Sequence, residues 1–168
     1  MKETARWKQD TNTVLDVTDK CTHMKRSNST VKVCADTSHR YKKHSLTIPN
    51  SSHHNQTIKI FHQNIRSLRN KMNELLCYIQ DDPPHILCLT EHHLQYGELA
   101  SLHMENYTLG AYYCRNTKHK GGVCMFIHKN IPFICLDIGN YCIDQDIEVC
   151  GIQLNQDGDK LCILAVYR

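Results

Sequence analysis

Two polar residues, Asn64 and Glu91, stand where apolar, strand-like runs of the sequence end. Asn64 closes TIKIFHQN, which is rich in β-branched and apolar residues. Glu91 closes HILCLTE, which is almost continuously apolar, as a buried parallel strand is. If both strands run in the same direction, the carboxamide and the carboxylate lie at the same edge of a sheet. Ligands bind at that carboxyl edge in open α/β sheets, so these two side chains are the first candidates for a functional site.

The segment between the two runs predicts the helix that would make them parallel. Five apolar residues recur with the period of an α-helix and give it one apolar face: Leu68, Met72, Leu75, Leu76 and Ile79. The helix is expected to end before Asp81-Asp82-Pro83-Pro84, because proline lacks an amide donor and disfavours the α conformation of its predecessor. Strand, helix and strand then form a βαβ unit.

Several short motifs accompany this unit in a fixed order along the chain. They are QNIRSL at 63–68, LCLTEHHL at 87–94, GGVCMFI at 121–127, EVCGIQL at 148–154 and LCILAVYR at 161–168. Together they resemble the endonuclease/exonuclease/phosphatase superfamily, and within it the endonuclease domain of insect-type (LINE-type) non-LTR retrotransposons. The resemblance covers roughly 57–168, the N-terminal half of such a domain. It implies an α/β fold that forms part of a four-layer α/β sandwich, and we expect one mixed sheet with a βαβ start.

The resemblance also implies a reaction, the Mg²⁺- or Mn²⁺-dependent hydrolysis (nicking) of DNA phosphodiester bonds. DNA is then the expected partner, and a reverse transcriptase domain normally shares the polypeptide. Glu91 matches the family's metal-binding glutamate, and Asn64 matches an asparagine expected to serve both metal binding and catalysis. Tyr167 matches the tyrosine beside the scissile phosphate and is the other catalytic candidate. Because Mg²⁺ prefers oxygen ligands and retains several waters, one carboxylate and one carboxamide suffice as a partial ligand set.

Basic residues form a weaker set of candidates, for contacts to DNA phosphates: Arg66, Arg69, Arg115, Lys118 and Lys120. Arg66 and Arg69 stand at the start of the predicted helix, where a positive charge opposes the helix dipole. That placement favours a role facing phosphate. The other three lie in the polar turn RNTKHKGG at 115–122, for which an ordinary exposed turn is the alternative.

The residues beside these candidates are interpreted as structural. His92 and His93 follow Glu91 directly, and we expect surface or loop histidines there rather than ligands of a soft metal. Gly121-Gly122 predicts a tight turn at the entry to a strand, where the absence of side chains eases the conformation.

The remaining catalytic motifs of the family have no counterpart in this sequence. The family continues with a GDxN motif, a later Asp and a terminal SDH whose histidine is essential, and neither GDxN nor SDH occurs at 95–168. We therefore expect a truncated endonuclease domain that is inactive in this form. Two alternatives stay open: a non-catalytic module that binds DNA or a protein, and a phosphatase-like member acting on a small phosphorylated substrate.

The composition divides the chain near residue 57. Residues 1–56 contain ten Lys/Arg against five Asp/Glu, whereas 57–168 contain ten against twelve, so the net charge of +3 belongs to the N-terminal region. Residues 1–56 are polar and basic, and we expect disorder because they bury too little apolar surface to offset the entropy of ordering. The sequence contains neither a run of about 18 apolar residues nor the apolar core of a signal peptide. We therefore expect an intracellular protein, nuclear or cytoplasmic, without a membrane partner.

Overall fold

A computed structural model describes residues 30–34, 42–48, 56–116, 120–156 and 159–168. The elements within them, in chain order, are β1 (Thr30–Cys34), β2 (Lys42–Ile48), β3 (Gln56–Asn64), α1 (Met72–Ile79), β4 (Ile86–Thr90), α2 (Tyr96–Ser101), β5 (Tyr107–Tyr113), β6 (Val123–His128), β7 (Ile134–Cys135), a 3-10 turn (Gly139–Tyr141), β8 (Glu148–Gln156) and β9 (Asp159–Tyr167). The α/β class and its βαβ start are confirmed, since β3 and β4 are parallel neighbours with α1 between them in the chain.

The strands form two sheets where the sequence predicted one. The five-stranded sheet has the order β2-β3-β4-β6-β5, and the four-stranded sheet has the order β1-β9-β8-β7. One cluster of buried side chains takes members from both sheets, so the sheets pack face to face: among them are Ile60, Cys88, Met125, Ile152 and Ile163. Alternation of apolar residues indicates which side chains face a core, but it does not tell which sheet a strand joins.

The opposite face of the five-stranded sheet is covered by the two helices. A second cluster joins Phe61, Leu87 and Phe126 of the strands to Leu75 of α1 and Leu99 of α2. The layers are therefore helices, sheet and sheet. Within the described ranges, no helix combines the length and the apolar character needed to cross a membrane.

Helix α1 begins later than its apolar stripe predicted. Leu68 is fully buried, as the stripe required, but it lies in a turn that precedes the helix. Arg66 and Ser67 have φ values of 46° and 82°, which lie outside the right-handed helical region. The α conformation can therefore begin only after these two residues.

Two segments inside the range 1–56 are strands, where we expected disorder. Strand β2 pairs antiparallel with β3, and β1 pairs parallel with β9. An edge strand obtains backbone hydrogen bonds from its neighbour, a stabilisation that local apolar periodicity does not report. The expectation for the rest of 1–55 falls on residues outside the described ranges.

Candidate functional site

The loops that follow β3 and β4 lie side by side at one edge of the five-stranded sheet. Asn64 and Thr90, the last residues of the two strands, are opposite each other in the parallel ladder. Beyond the strands, three backbone hydrogen bonds of 2.8 to 3.0 Å join residues 65–68 to residues 90–92. The loops therefore hold each other in place, and the residues at the two strand ends meet as the sequence analysis expected.

Four residues of these two loops have left-handed backbone conformations. The φ values are 46° at Arg66, 82° at Ser67, 53° at Glu91 and 58° at His93. A side-chain-bearing residue adopts this region at a cost of about 1–3 kcal/mol, and such positions concentrate at ligand sites, where the surrounding structure fixes them. The clustering of four of them makes this edge the first place to look for function.

Glu91 accepts two hydrogen bonds on one carboxylate oxygen. Its Oε1 receives the Nδ2–H of Asn64 at 2.9 Å and the hydroxyl of Tyr167 at 2.7 Å. Tyr167 ends β9, so residues of both sheets meet at this carboxylate. The structure thus brings together the three residues that the sequence analysis assigned to catalysis and metal binding, and we call them the Glu91 cluster.

The hydrogen bonds of the Glu91 cluster determine its protonation. Burial raises the pKa of Glu91, but the hydrogen bonds from Tyr167 and Asn64 and the charges of His93 and Arg66 outweigh burial, and the pKa lies below its ordinary value. Burial, followed by the hydrogen bond to Glu91, raises the pKa of Tyr167 to about 12. At neutral pH the carboxylate is therefore ionised, and the tyrosine is a neutral donor.

Two oxygens of the Glu91 cluster are suited to a cation. The buried Oδ1 of Asn64 has no hydrogen-bond partner. The Oε2 of Glu91 lies 3.6 Å from His93 Nε2, which is beyond hydrogen-bond distance. An unpaired buried oxygen is costly, and carboxylate and carboxamide oxygens are ligands that Mg²⁺ prefers. Each of these oxygens is therefore a candidate ligand for a divalent cation that retains water in its other positions.

The protein contributes few further ligands to such a cation. Across the described residues, no group of three or more His, Cys, Asp or Glu side chains is arranged to hold a metal ion. The candidate ligands that the described residues bring together at this edge are Asn64 and Glu91.

Two of the basic candidates lie beside the Glu91 cluster. Arg66 is exposed, and its charge is close enough to contribute to the lowered pKa of Glu91. Burial lowers the pKa of His93, the Glu91 carboxylate acts against burial, and the charge of the exposed Lys120 adds to the lowering. Lys118 lies outside the described residues.

The other two basic candidates form ion pairs. Arg69 donates from Nε to Glu98 Oε1 of α2 at 2.8 Å, in an exposed pair. Arg115 pairs with Glu148, and its side chain is only 11% exposed. The alternative of an ordinary exposed turn therefore does not hold for Arg115, because a buried carboxylate draws its guanidinium inward.

His92 lies in a loop, as expected, but its side chain is fully buried and not at the surface. Its Nδ1 accepts the Leu94 N–H at 3.1 Å, and its Nε2 lies 3.1 Å from the Tyr113 carbonyl oxygen. Because Nδ1 accepts, the ring proton resides on Nε2 and is donated to that carbonyl. Burial lowers the pKa of His92 to about 4, so the ring is neutral at pH 7 and serves to hold the loop after β4.

The structural role predicted for Gly121-Gly122 is confirmed. The two residues have φ values of 89° and 86°, which favour glycine. A Cβ at Gly121 would collide with the Arg115 guanidinium, and one at Gly122 would collide with the His92 ring. The turn is therefore packed directly against two side chains of the site edge.

Glu148 is a residue of this edge that the sequence analysis did not single out. Its side chain is 1% exposed, and it opens β8 directly opposite Tyr167. Its position in EVCGIQL could have indicated that the side chain points inward. Every second residue of this run, Cys150, Ile152 and Leu154, faces the other sheet, and Glu148 precedes them at the same spacing. A glutamate at the start of a strand is usually solvated, so this position alone does not indicate burial.

Comparison with known proteins yields no assignment. The chain matches no protein-family model, and no curated protein matches it. A function must therefore be argued from the geometry of the chain's own residues.

Proposed function

We propose that the chain carries part of a Mg²⁺- or Mn²⁺-dependent phosphodiesterase site of the endonuclease type, with DNA as substrate. We further propose that the 168 residues bind the metal weakly and do not complete the reaction. One observation carries the proposal: at the carboxyl edge of two parallel strands, an ionised carboxylate accepts a hydrogen bond from the Nδ2 of a carboxamide whose oxygen is unpaired, beside a tyrosine from the other sheet.

Each residue of the Glu91 cluster has a distinct role in this proposal. Glu91 Oε2 and Asn64 Oδ1 would hold the cation, which when bound neutralises the negative charge that develops on phosphate oxygens. Tyr167 remains protonated, since its pKa is about 12, and its hydrogen bond orients Glu91 and keeps it ionised. The exposed Arg66 attracts a phosphate toward the same edge.

Two groups of this edge that could accept a proton from water are already engaged. Glu91 Oε1 is occupied by two donors, and His92 is buried with both ring nitrogens engaged. The aspartate and histidine that complete the family's chemistry have no counterpart in the sequence. We therefore expect no nicking of supercoiled plasmid by this chain in Mg²⁺.

The non-catalytic alternative also has a specific observation in its favour. Arg66 and Lys120 are exposed beside Glu91 and His93, an arrangement that attracts phosphate whether or not hydrolysis follows. Binding of this kind falls steeply with salt, because it releases counterions from the nucleic acid. A steep salt slope without nicking, retained in Glu91→Gln, would favour this alternative.

A metal titration followed by NMR tests the proposed function. We expect Mn²⁺ to broaden the resonances of residues 64–67 and 90–93, with an affinity on the order of millimolar because few anionic oxygens contribute. Glu91→Gln should abolish this effect. The matched control is Glu105→Gln, which alters an exposed carboxylate in the turn before β5, at the opposite end of the sheet. Equal Mn²⁺ binding by wild type and Glu91→Gln would refute the proposal.

A further inference from the structure

Glu148 is a charged residue enclosed between the two sheets. It ends the inward-facing row of β8, and Tyr167 ends the corresponding row of β9 directly opposite. A carboxylate at 1% exposure is costly unless charged or hydrogen-bonding partners meet both of its oxygens. The identity of those partners is therefore informative about what the residue does.

Both oxygens of Glu148 are bound, and both partners belong to the other sheet. Oε1 pairs with Nε of Arg115, which follows β5, and Oε2 accepts the N–H of Gly122 at 2.6 Å, just before β6. The close packing of Gly121 against the guanidinium further limits where Arg115 can lie. Glu148 thus fixes an arginine and a backbone turn at the same edge as the Glu91 cluster.

Arg115 lies close to this edge. Its guanidinium packs against Gly121, whose carbonyl oxygen accepts the His93 N–H at 3.0 Å, and its partner Glu148 is directly opposite Tyr167. His93 and Tyr167 are both neighbours of Glu91. Within the described part of the chain, the only hydrogen bond of the guanidinium is the one from Nε. The planar fork of an arginine leaves its Nη groups available when Nε alone is bound.

We propose that Glu148 is a positioning residue that holds Arg115 so that its Nη groups form a subsite for one phosphate oxygen beside the Glu91 cluster. The identification of that phosphate as part of a nucleic acid rests on the proposed function. The subsite itself requires only an oxyanion, because guanidinium and phosphate match through parallel, charge-assisted hydrogen bonds. A lysine keeps the charge but cannot bind Glu148 and phosphate through one planar group.

Inorganic phosphate in the presence of EDTA tests this inference on the full chain, without any metal. We expect the ¹⁵Nε–Hε resonance of Arg115 to be displaced on addition of phosphate. Arg115→Lys should weaken phosphate binding about tenfold or more, the loss expected for a hydrogen bond to a charged group. Arg69→Lys is the matched control, since that guanidinium is also paired with a glutamate but lies on the exposed surface.

The variant Glu148→Gln tests whether Glu148 positions Arg115 or only stabilises the fold. If the variant folds, we expect phosphate affinity to fall about as much as in Arg115→Lys, and the double variant to lose no more than either single one. Mn²⁺ binding at Glu91 should be unchanged in Arg115→Lys, so loss of the metal site and loss of the subsite are distinguishable. If Glu148→Gln does not fold, the Arg115 resonance in the wild type decides. An Arg115 resonance that phosphate does not displace, or phosphate binding unchanged in Arg115→Lys, would overturn the inference.

Discussion

Two arginine–glutamate pairs in this protein place the same chemical groups in opposite surroundings. Arg69 and Glu98 join the turn before α1 to α2, with side chains 49% and 40% exposed. Arg115 and Glu148 join the two sheets at the site edge, with side chains 11% and 1% exposed. Water solvates each member of the first pair almost as well as its partner does, so that pair contributes little. In the second pair each charge depends on the other, since water cannot replace a missing partner.

The contrast explains why two arginines that look alike in the sequence differ in their suitability for binding phosphate. Both arginines were candidates for phosphate contacts because of their charge, and Arg69 also because of its place at the start of the predicted helix. Only Arg115 is held in one position beside the Glu91 cluster, and fixed geometry is what a binding subsite requires. The following changes probe the contrast, from the largest expected effect to the smallest.

Replacement of Arg115 by alanine should give the largest loss of stability. Glu148 would remain buried without its counter-charge, and breaking a buried pair in this way lowers the free energy of unfolding by about 3–5 kcal/mol. Urea denaturation of Arg115→Ala and wild type measures the difference. Replacing both partners, in Arg115→Leu/Glu148→Leu, should recover part of the loss, because no isolated charge remains. A loss below about 1 kcal/mol in Arg115→Ala would make the two pairs equivalent.

Acid should destabilise the site edge through His92. The unfolded chain binds the proton near the ordinary pKa of 6.5, whereas the folded ring does so only at about 4. The contribution of neutral His92 to the free energy of unfolding is therefore fully present above pH 6.5. It is lost as the pH falls from 6.5 through about 4, and the loss amounts to at most about 3 kcal/mol. Urea midpoints at a series of pH values, for wild type and His92→Gln, measure this contribution. An NMR titration in which His92 protonates near pH 6.5 would contradict it.

A methyl group added at Gly122 should destabilise the fold by about 1–3 kcal/mol, the cost of a strained left-handed residue. The new Cβ would also collide with the His92 ring. Gly97→Ala is the matched control, because Gly97 lies in α2 with open space around it. There, alanine should stabilise by about 0.5–1 kcal/mol through its helix propensity. Melting temperatures of the two variants that shift in the same direction would argue against the packing described for the turn.

Replacement of Arg69 by alanine should have the smallest effect, below about 1 kcal/mol. Screening by 1 M salt should reduce the effect further, since both charges are exposed. Denaturation of Arg69→Ala at low and high salt measures it. A loss as large as that of Arg115→Ala would remove the distinction between the two regions.

Local sequence patterns predicted those parts of the fold in which the interacting residues are close together in the chain. The apolar stripe identified α1, and the ends of two apolar runs placed Asn64 and Glu91 at one edge. Proline and glycine signals located the end of the helix and the Gly121-Gly122 turn. These inferences succeed because helical periodicity, strand direction and turn conformation are properties of short segments.

The remainder depends on contacts between distant segments, which periodicity does not encode. The doublet His92-His93 is polar in sequence, yet the first ring is buried, where its Nε2–H donates a hydrogen bond to the Tyr113 carbonyl. Glu148 reads as the polar start of a strand, and its partner Arg115 lies 33 residues earlier. The assignment of β8 and β9 to a second sheet likewise depends on face-to-face packing that no single run reveals.

The parallel pairing of β1 with β9 has a consequence for the order in which the molecule folds. Thr30 lies opposite Cys162, so the paired residues are about 130 positions apart. Strands β2 to β6 end at His128, and the five-stranded sheet can therefore close while the ribosome is still making the rest of the chain. At about 5–20 residues per second, β1 waits on the order of ten seconds for its partner. The loop that must close is long, so this pairing raises the contact order and is expected to be a late step of folding.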